Sequence, residues 1–222
     1  MKFTLLLILS LLLTTVSFGQ DGPAEYSNLL QSYYTQHDPE LVDKTIRFVN
    51  TTAQPYQRLE PTLKGFFGAL FRQQPAVKTA LYARLGEIQR PEFQQLFYAI
   101  KNTDLDSLYA RAKPSPLLND MSWSSYFATG NPRYLDLLIR HAGYFGERQD
   151  LNLYVTAGSA LWSLCSNARQ HPAVRAYLAT VKNQTVGLAL QQEPAYFQQE
   201  MTAVIREQRA KGIWDPSTYR MQ

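Results

Sequence analysis

The chain has 222 residues, with 22 lysines and arginines against 18 aspartates and glutamates, a net charge of +4 and one cysteine. The small positive excess is scattered, which argues against a nucleic-acid partner, because such binders gather lysine and arginine on one face. A single cysteine forms no internal disulfide. The fourteen tyrosines, eleven phenylalanines and three tryptophans supply side chains for a core and for anchoring an interface.

The chain opens Met1-Lys2, runs apolar from Phe3 through Leu13, and places Ser17 and Gly19 three and one residues before a cut after Gly19. That order of charged, apolar and small residues predicts a secretory signal peptide over 1–19. The apolar run is shorter than the ~20 residues a membrane-spanning helix needs. With no cysteine after the cut, a lipid anchor is not expected there. The expected mature protein is exported, periplasmic or secreted, without stable membrane insertion. It spans 20–222 as a single all-helical domain.

From Asp21 onward apolar residues recur at helical spacing and no strand alternation stands out. Tyr56, Leu59, Leu63, Phe66, Phe67, Leu70 and Phe71 mark one helical face. Phe93, Leu96, Phe97 and Ile100 mark a second, and Leu153, Ala157, Ala160, Leu161, Leu164, Cys165 and Ala168 a third. Cys165 is accordingly expected to pack in the core. Val174, Tyr177, Leu178 and Val181 make a fourth stripe.

Proline is favoured in the first helical turn. Asp38-Pro39, Gln74-Pro75, Arg90-Pro91, Asn131-Pro132, His171-Pro172 and Glu193-Pro194 are therefore expected helix starts. The pattern predicts an all-α fold of about ten helices, joined by short connections into stacked antiparallel hairpins, either α-solenoid-like or an irregular helical bundle. Aligned on Pro91, Pro132 and Pro172, the following helices match as Phe93, Tyr134 and Val174, then as Phe97, Leu138 and Leu178. This suggests a repeat of about 40 residues. The proline pair around Ala112–Pro116 marks an expected joint near 112–118.

No motif for catalysis, metal binding or nucleotide binding emerges, and no cofactor is indicated. His37, His141 and His171 form no ligand pair, and the glycines match no phosphate-binding loop. Asp104 and Asp106 stand where helix-capping residues belong. His141 is out of pattern, because it takes the place of Ile100 and Val181 on the face expected to be buried. It is expected to be a buried polar residue with a hydrogen-bond partner, or a pH-sensitive switch.

The blocks Trp123-Ser-Ser-Tyr-Phe-Ala-Thr-Gly-Asn-Pro-Arg-Tyr134 and Ala160-Leu-Trp-Ser-Leu-Cys-Ser-Asn-Ala-Arg-Gln-His-Pro-Ala-Val174 resemble a group of exported bacterial helical proteins. These carry a Phe-Ala-Thr-Gly-Asp/Asn turn and a Trp-Ser-Leu-x-Ser-Asn-Ala-x-Gln-His-Pro segment at similar separation. The resemblance covers about 50 residues. It implies an envelope or secreted location and a tetratricopeptide-like hairpin fold, and it carries over no catalytic residue. The spacing near 40 departs from the 34 of true tetratricopeptide repeats.

The expected partner-binding surface comprises Trp123, Tyr126, Thr129, Asn167 and His171, where polar turns stand beside large aromatics. The leading expectation is a binding or scaffolding protein of the bacterial envelope that holds a protein or peptide. The alternatives are an envelope hydrolase with a site assembled only in three dimensions, and a carrier of lipid or another small ligand.

Overall fold

The computed structural model describes residues 22–212, so the expected signal peptide lies outside the described residues. Twelve α-helices and no strand occur among them. The first half holds α1 (Pro23–Gln36), α2 (Leu41–Thr51), α3 (Tyr56–Gln73), α4 (Pro75–Ala83), α5 (Pro91–Lys101) and α6 (Leu105–Arg111). The second holds α7 (Pro116–Thr129), α8 (Arg133–Ala142), α9 (Leu151–Gln170), α10 (Pro172–Thr180), α11 (Gln184–Gln191) and α12 (Pro194–Ala210). The count exceeds ten because α4, α6 and α11 are only 9, 7 and 8 residues long, too short for an apolar period to declare itself. No described helix is long and apolar enough to cross a membrane.

Local chemistry explains the boundaries. Pro75, Pro91, Pro172 and Pro194 each open a helix at its first position, as expected. After Pro39 and Pro132 the helices begin slightly later, at Leu41 and Arg133. There Asp38 and Asn131 accept from the amides of Glu40 and Arg133. Asp104 caps α6 by accepting from the amides of Asp106 and Ser107. Asp106 itself bridges Arg72 at the end of α3 and Arg133 at the start of α8.

One apolar cluster runs from Tyr26 to Phe197 and includes residues from both sides of the 112–118 segment. The most extensive helix pair is α3 with α7, and α1, α8 and α9 also pack on α7. The predicted stripes are buried almost throughout: Leu63, Phe66, Phe67, Phe93, Phe97, Leu161, Leu164, Val174 and Leu178 are fully enclosed. Cys165 is enclosed too, its thiol 2.9 Å from the Gln192 carbonyl and pushed up in pKa by burial.

A smaller cluster joins α9 to α12 through Tyr154, Met201 and Val204. Tyr154 is fully buried, with its ring stacked on Phe145 at 5.1 Å, and its hydroxyl has no hydrogen-bond partner. An unsatisfied buried hydroxyl costs roughly 1–3 kcal/mol. Tyr154→Phe is therefore expected to leave stability unchanged or raise it by about 1 kcal/mol, read from the urea unfolding midpoint. A clear loss would show that the hydroxyl is bonded.

Candidate functional site

The second half is organised around α7. Ser115 caps the helix by accepting from the Leu118 amide, Pro116 opens it, and Gly130 closes it at φ 68°, a left-handed conformation that favours glycine. Between Leu118 and Ala128 every residue except Asp120 is buried. The polar members bond internally. Ser122 donates to the Leu118 carbonyl and Ser125 to the Gly65 carbonyl, while the Trp123 indole N–H donates to Ser163 Oγ at 2.8 Å. Asn119 donates to the Thr156 carbonyl and to Ser159 Oγ.

Asn119 meets Ser159 and Trp123 meets Ser163, so both chains advance four residues between contacts. Helices α7 and α9 are therefore parallel, matched 40 residues apart at both points. Their C-terminal turns, Gly130–Pro132 and His171–Pro172, stand at the same end.

The five predicted surface residues divide. Trp123 and Tyr126 are core, 6% and 3% exposed. Thr129, Asn167 and His171 are half-buried at the shared end. Trp123, Tyr126 and His171 join one aromatic cluster through two residues absent from the sequence-based set, Phe127 and Tyr34. Phe127 stacks on Trp123 at 5.5 Å and lies 5.0 Å from the His171 ring. Tyr34 of α1 lies 5.3 Å from the Tyr126 ring, and its hydroxyl is 3.2 Å from His171 Nδ1. Thr129 and Asn167 instead bond back to their own helices, at the carbonyls of Ser125 and Ser163. Phe127 lay within the quoted motif and its aromatic character was a usable signal. Tyr34 lies 137 residues from its histidine partner, and no local signal joins them.

His171 Nε2 is buried without a hydrogen-bond partner, and desolvation lowers the ring's pKa. One ring nitrogen faces Tyr34 and the other faces apolar surroundings, so the neutral form is favoured.

His141 is 2% exposed and has a partner, as the pattern predicted: its Nδ1 lies 2.6 Å from Asn119 Oδ1. Asn119 uses its amide N–H groups on Thr156 and Ser159, so its oxygen must accept and the neutral histidine carries its proton on Nδ1. The chain His141–Asn119–Thr156/Ser159 thus ties α8, α7 and α9 together. Burial, with a smaller contribution from the Arg140 charge, holds the imidazole down at about 4.

That shift predicts acid sensitivity. The folded pKa lies below the unfolded value, so the unfolded chain takes up the proton first as pH falls. The contribution is complete above about pH 6.5 and declines toward about pH 4, by about 2 kcal/mol at pH 5. His141→Asn keeps a donor toward Asn119 and does not titrate. Between about pH 8 and about pH 5 the parent protein should lose about 2 kcal/mol more than this variant in urea unfolding. Equal losses would show that His141 is not the titrating group.

Trp123, Ser124 and Phe127 stand at i+3, i+4 and i+7 from Asp120, the one exposed residue between Leu118 and Ala128. Asp120 is exposed, yet desolvation pushes its carboxyl up to about 6. Half-buried Tyr34 of α1, and Ser163 and Asn167 of α9, stand on the neighbouring helices.

Elsewhere a narrow cleft between α1 and α2 is lined by Glu25, Tyr26, Leu29, Lys44, Arg47 and Phe48. A shallow depression lies on α12 at Gln198, Thr202 and Arg206. Neither is a large closed apolar cavity of the kind that encloses a lipid or small ligand. Among the described residues no group of three histidine, cysteine, aspartate or glutamate side chains is placed to hold a metal ion. Comparison with family models, curated proteins and solved structures gives no match.

Proposed function

We propose that this chain is an exported binding or scaffolding module of the bacterial envelope, which holds a protein or peptide at the shared end of α7 and α9. The observation that carries this reading is the aromatic cluster of Trp123, Phe127, Tyr34 and His171 beside the half-buried polar residues Thr129 and Asn167. Interfaces concentrate their energy where aromatic side chains adjoin a polar rim. The resemblance to exported helical-hairpin proteins, and the 40-residue match of α7 with α9, favour a stacked-hairpin scaffold. The charge, apolar and small-residue order of the first 19 residues supports export.

The test is site-specific photo-crosslinking in the native envelope. A photoreactive residue at Asn167 should yield a discrete protein adduct, and one at exposed Gln199 of α12 should not. No adduct from Asn167, or the same adduct from both positions, would overturn the reading. Mature protein recovered from the cell should begin at Gln20 or within about two residues of it; a start at Met1 would overturn export by cleavage.

A further inference from the structure

We infer that His171 is a pH-dependent latch for α1. The neutral ring holds Tyr34, and with it α1, against the shared end of α7 and α9; a proton on the ring loosens that hold.

The ring has two nitrogens and one polar neighbour. Nδ1 lies 3.2 Å from the Tyr34 hydroxyl, while Nε2 is buried with no hydrogen-bond partner. A neutral imidazole meets this arrangement with a single bond, because only one of its nitrogens carries a proton. A charged imidazole has an N–H on each nitrogen and needs two acceptors. One of them would stay buried and unmet while the rings of Tyr34 and Phe127, at 6.0 and 5.0 Å, remain in place.

The geometry also decides which cover gives way. Phe127 is braced, because it stacks on Trp123, whose indole bonds Ser163 of α9. The His171 backbone is fixed too, its amide donating to the Asn167 carbonyl and its own carbonyl accepting from the Arg175 amide. Tyr34 instead comes from α1, and its contact with His171 is the one hydrogen bond between α1 and α9 among the described residues. Water that enters as α1 lifts would satisfy the second N–H, and the lifted helix would bare the Tyr126 and Phe127 rings.

No charge competes for the role. The titratable neighbours are Tyr34 and, beyond it, Tyr126 of α7; burial raises both phenols, so neither ionises where a histidine titrates. On the flanking helices Arg169 is paired with Glu193, and burial is the one cause of the ring's lowered pKa. His37 of α1 faces Tyr33 and Gln74 instead. The loosened state therefore takes up the proton first, and α1 opens more easily as pH falls below the ordinary histidine value of 6.5.

The test is amide hydrogen exchange on the mature protein carrying His141→Asn, so that the Asn119 network does not titrate. After correction for the intrinsic exchange rate, the opening constant of α1 should rise between about pH 7.5 and about pH 5, by at most about tenfold per pH unit, since one proton is taken up. Amides of α5 report global unfolding and should not follow. His171→Phe keeps an aromatic ring, cannot titrate and should leave α1 opening independent of pH. If that variant does not fold, His171→Gln carries the same expectation. A flat α1 response with His171 present, a rise that persists without it, or an equal rise in α5 overturns the inference.

Discussion

Trp123→Ala is expected to lower the melting temperature by about 10 °C, corresponding to about 3–5 kcal/mol of stability. The indole is 6% exposed, stacks on Phe127, meets Tyr126 edge-on at 6.1 Å and bonds Ser163 of α9. Truncation would leave a cavity at the contact between two parallel helices, and neither backbone can close over it without disturbing the Asn119–Ser159 bond four residues away. Trp123→Phe removes the indole N–H but keeps an aromatic ring. Ser163 Oγ still donates to the Ala160 carbonyl, so the milder variant should lose only about 1–2 kcal/mol. Thermal melting of the two variants beside the parent checks this. If Trp123→Ala melts normally and only partner capture is lost, Trp123 is a surface anchor despite its burial.

The same residue shows how far the sequence could be read. The glycine turn and proline starts of the block around it placed the ends of α7 and the later helices well. Amphipathic stripes were legible in α5 and α10, because each of those helices has one face toward the core and another toward water; α3 and α9 also showed stripes, although no residue is exposed from Gly65 to Phe71 or from Leu153 to Ala168. Helix α7 has neighbours on nearly every side, so serine, asparagine and aromatic residues alternate in it without a stripe. A tryptophan in such a helix looks the same in sequence whether it anchors a partner or fills the core.

His141 was legible for the opposite reason: it interrupts a stripe, and an interruption that survives in a buried position needs a partner, here Asn119. Asp120 needs no such partner: an aspartate between apolar residues ordinarily means a solvated helix face, and it is the one exposed residue between Leu118 and Ala128.

The closest approach of α3 to α7 sets the second large effect. A β-carbon added at Gly65 would lie 2.3 Å from the Met121 carbonyl oxygen and 2.8 Å from its α-carbon. Both are backbone atoms, so no rotamer change relieves the clash and the helices must move apart along the most extensive contact in the protein. Separation would also stretch the 2.8 Å bond from Ser125 Oγ to the Gly65 carbonyl. Overpacking of this kind costs roughly 1–3 kcal/mol and the lost bond about 1, against about 1 gained from the better helix propensity of alanine. Gly65→Ala should thus destabilise by about 1–3 kcal/mol, which lowers the melting temperature by roughly 2–12 °C. Gly158→Ala supplies the contrast. Its added carbon would meet Met201 Sδ at 2.2 Å and Cγ at 2.4 Å, but a methionine side chain can turn aside. There the loss should stay below about 1 kcal/mol once propensity is included. Equal losses at the two glycines would mean that the α3–α7 spacing yields as easily as a side chain, and that backbone contact is not what fixes the centre of this fold.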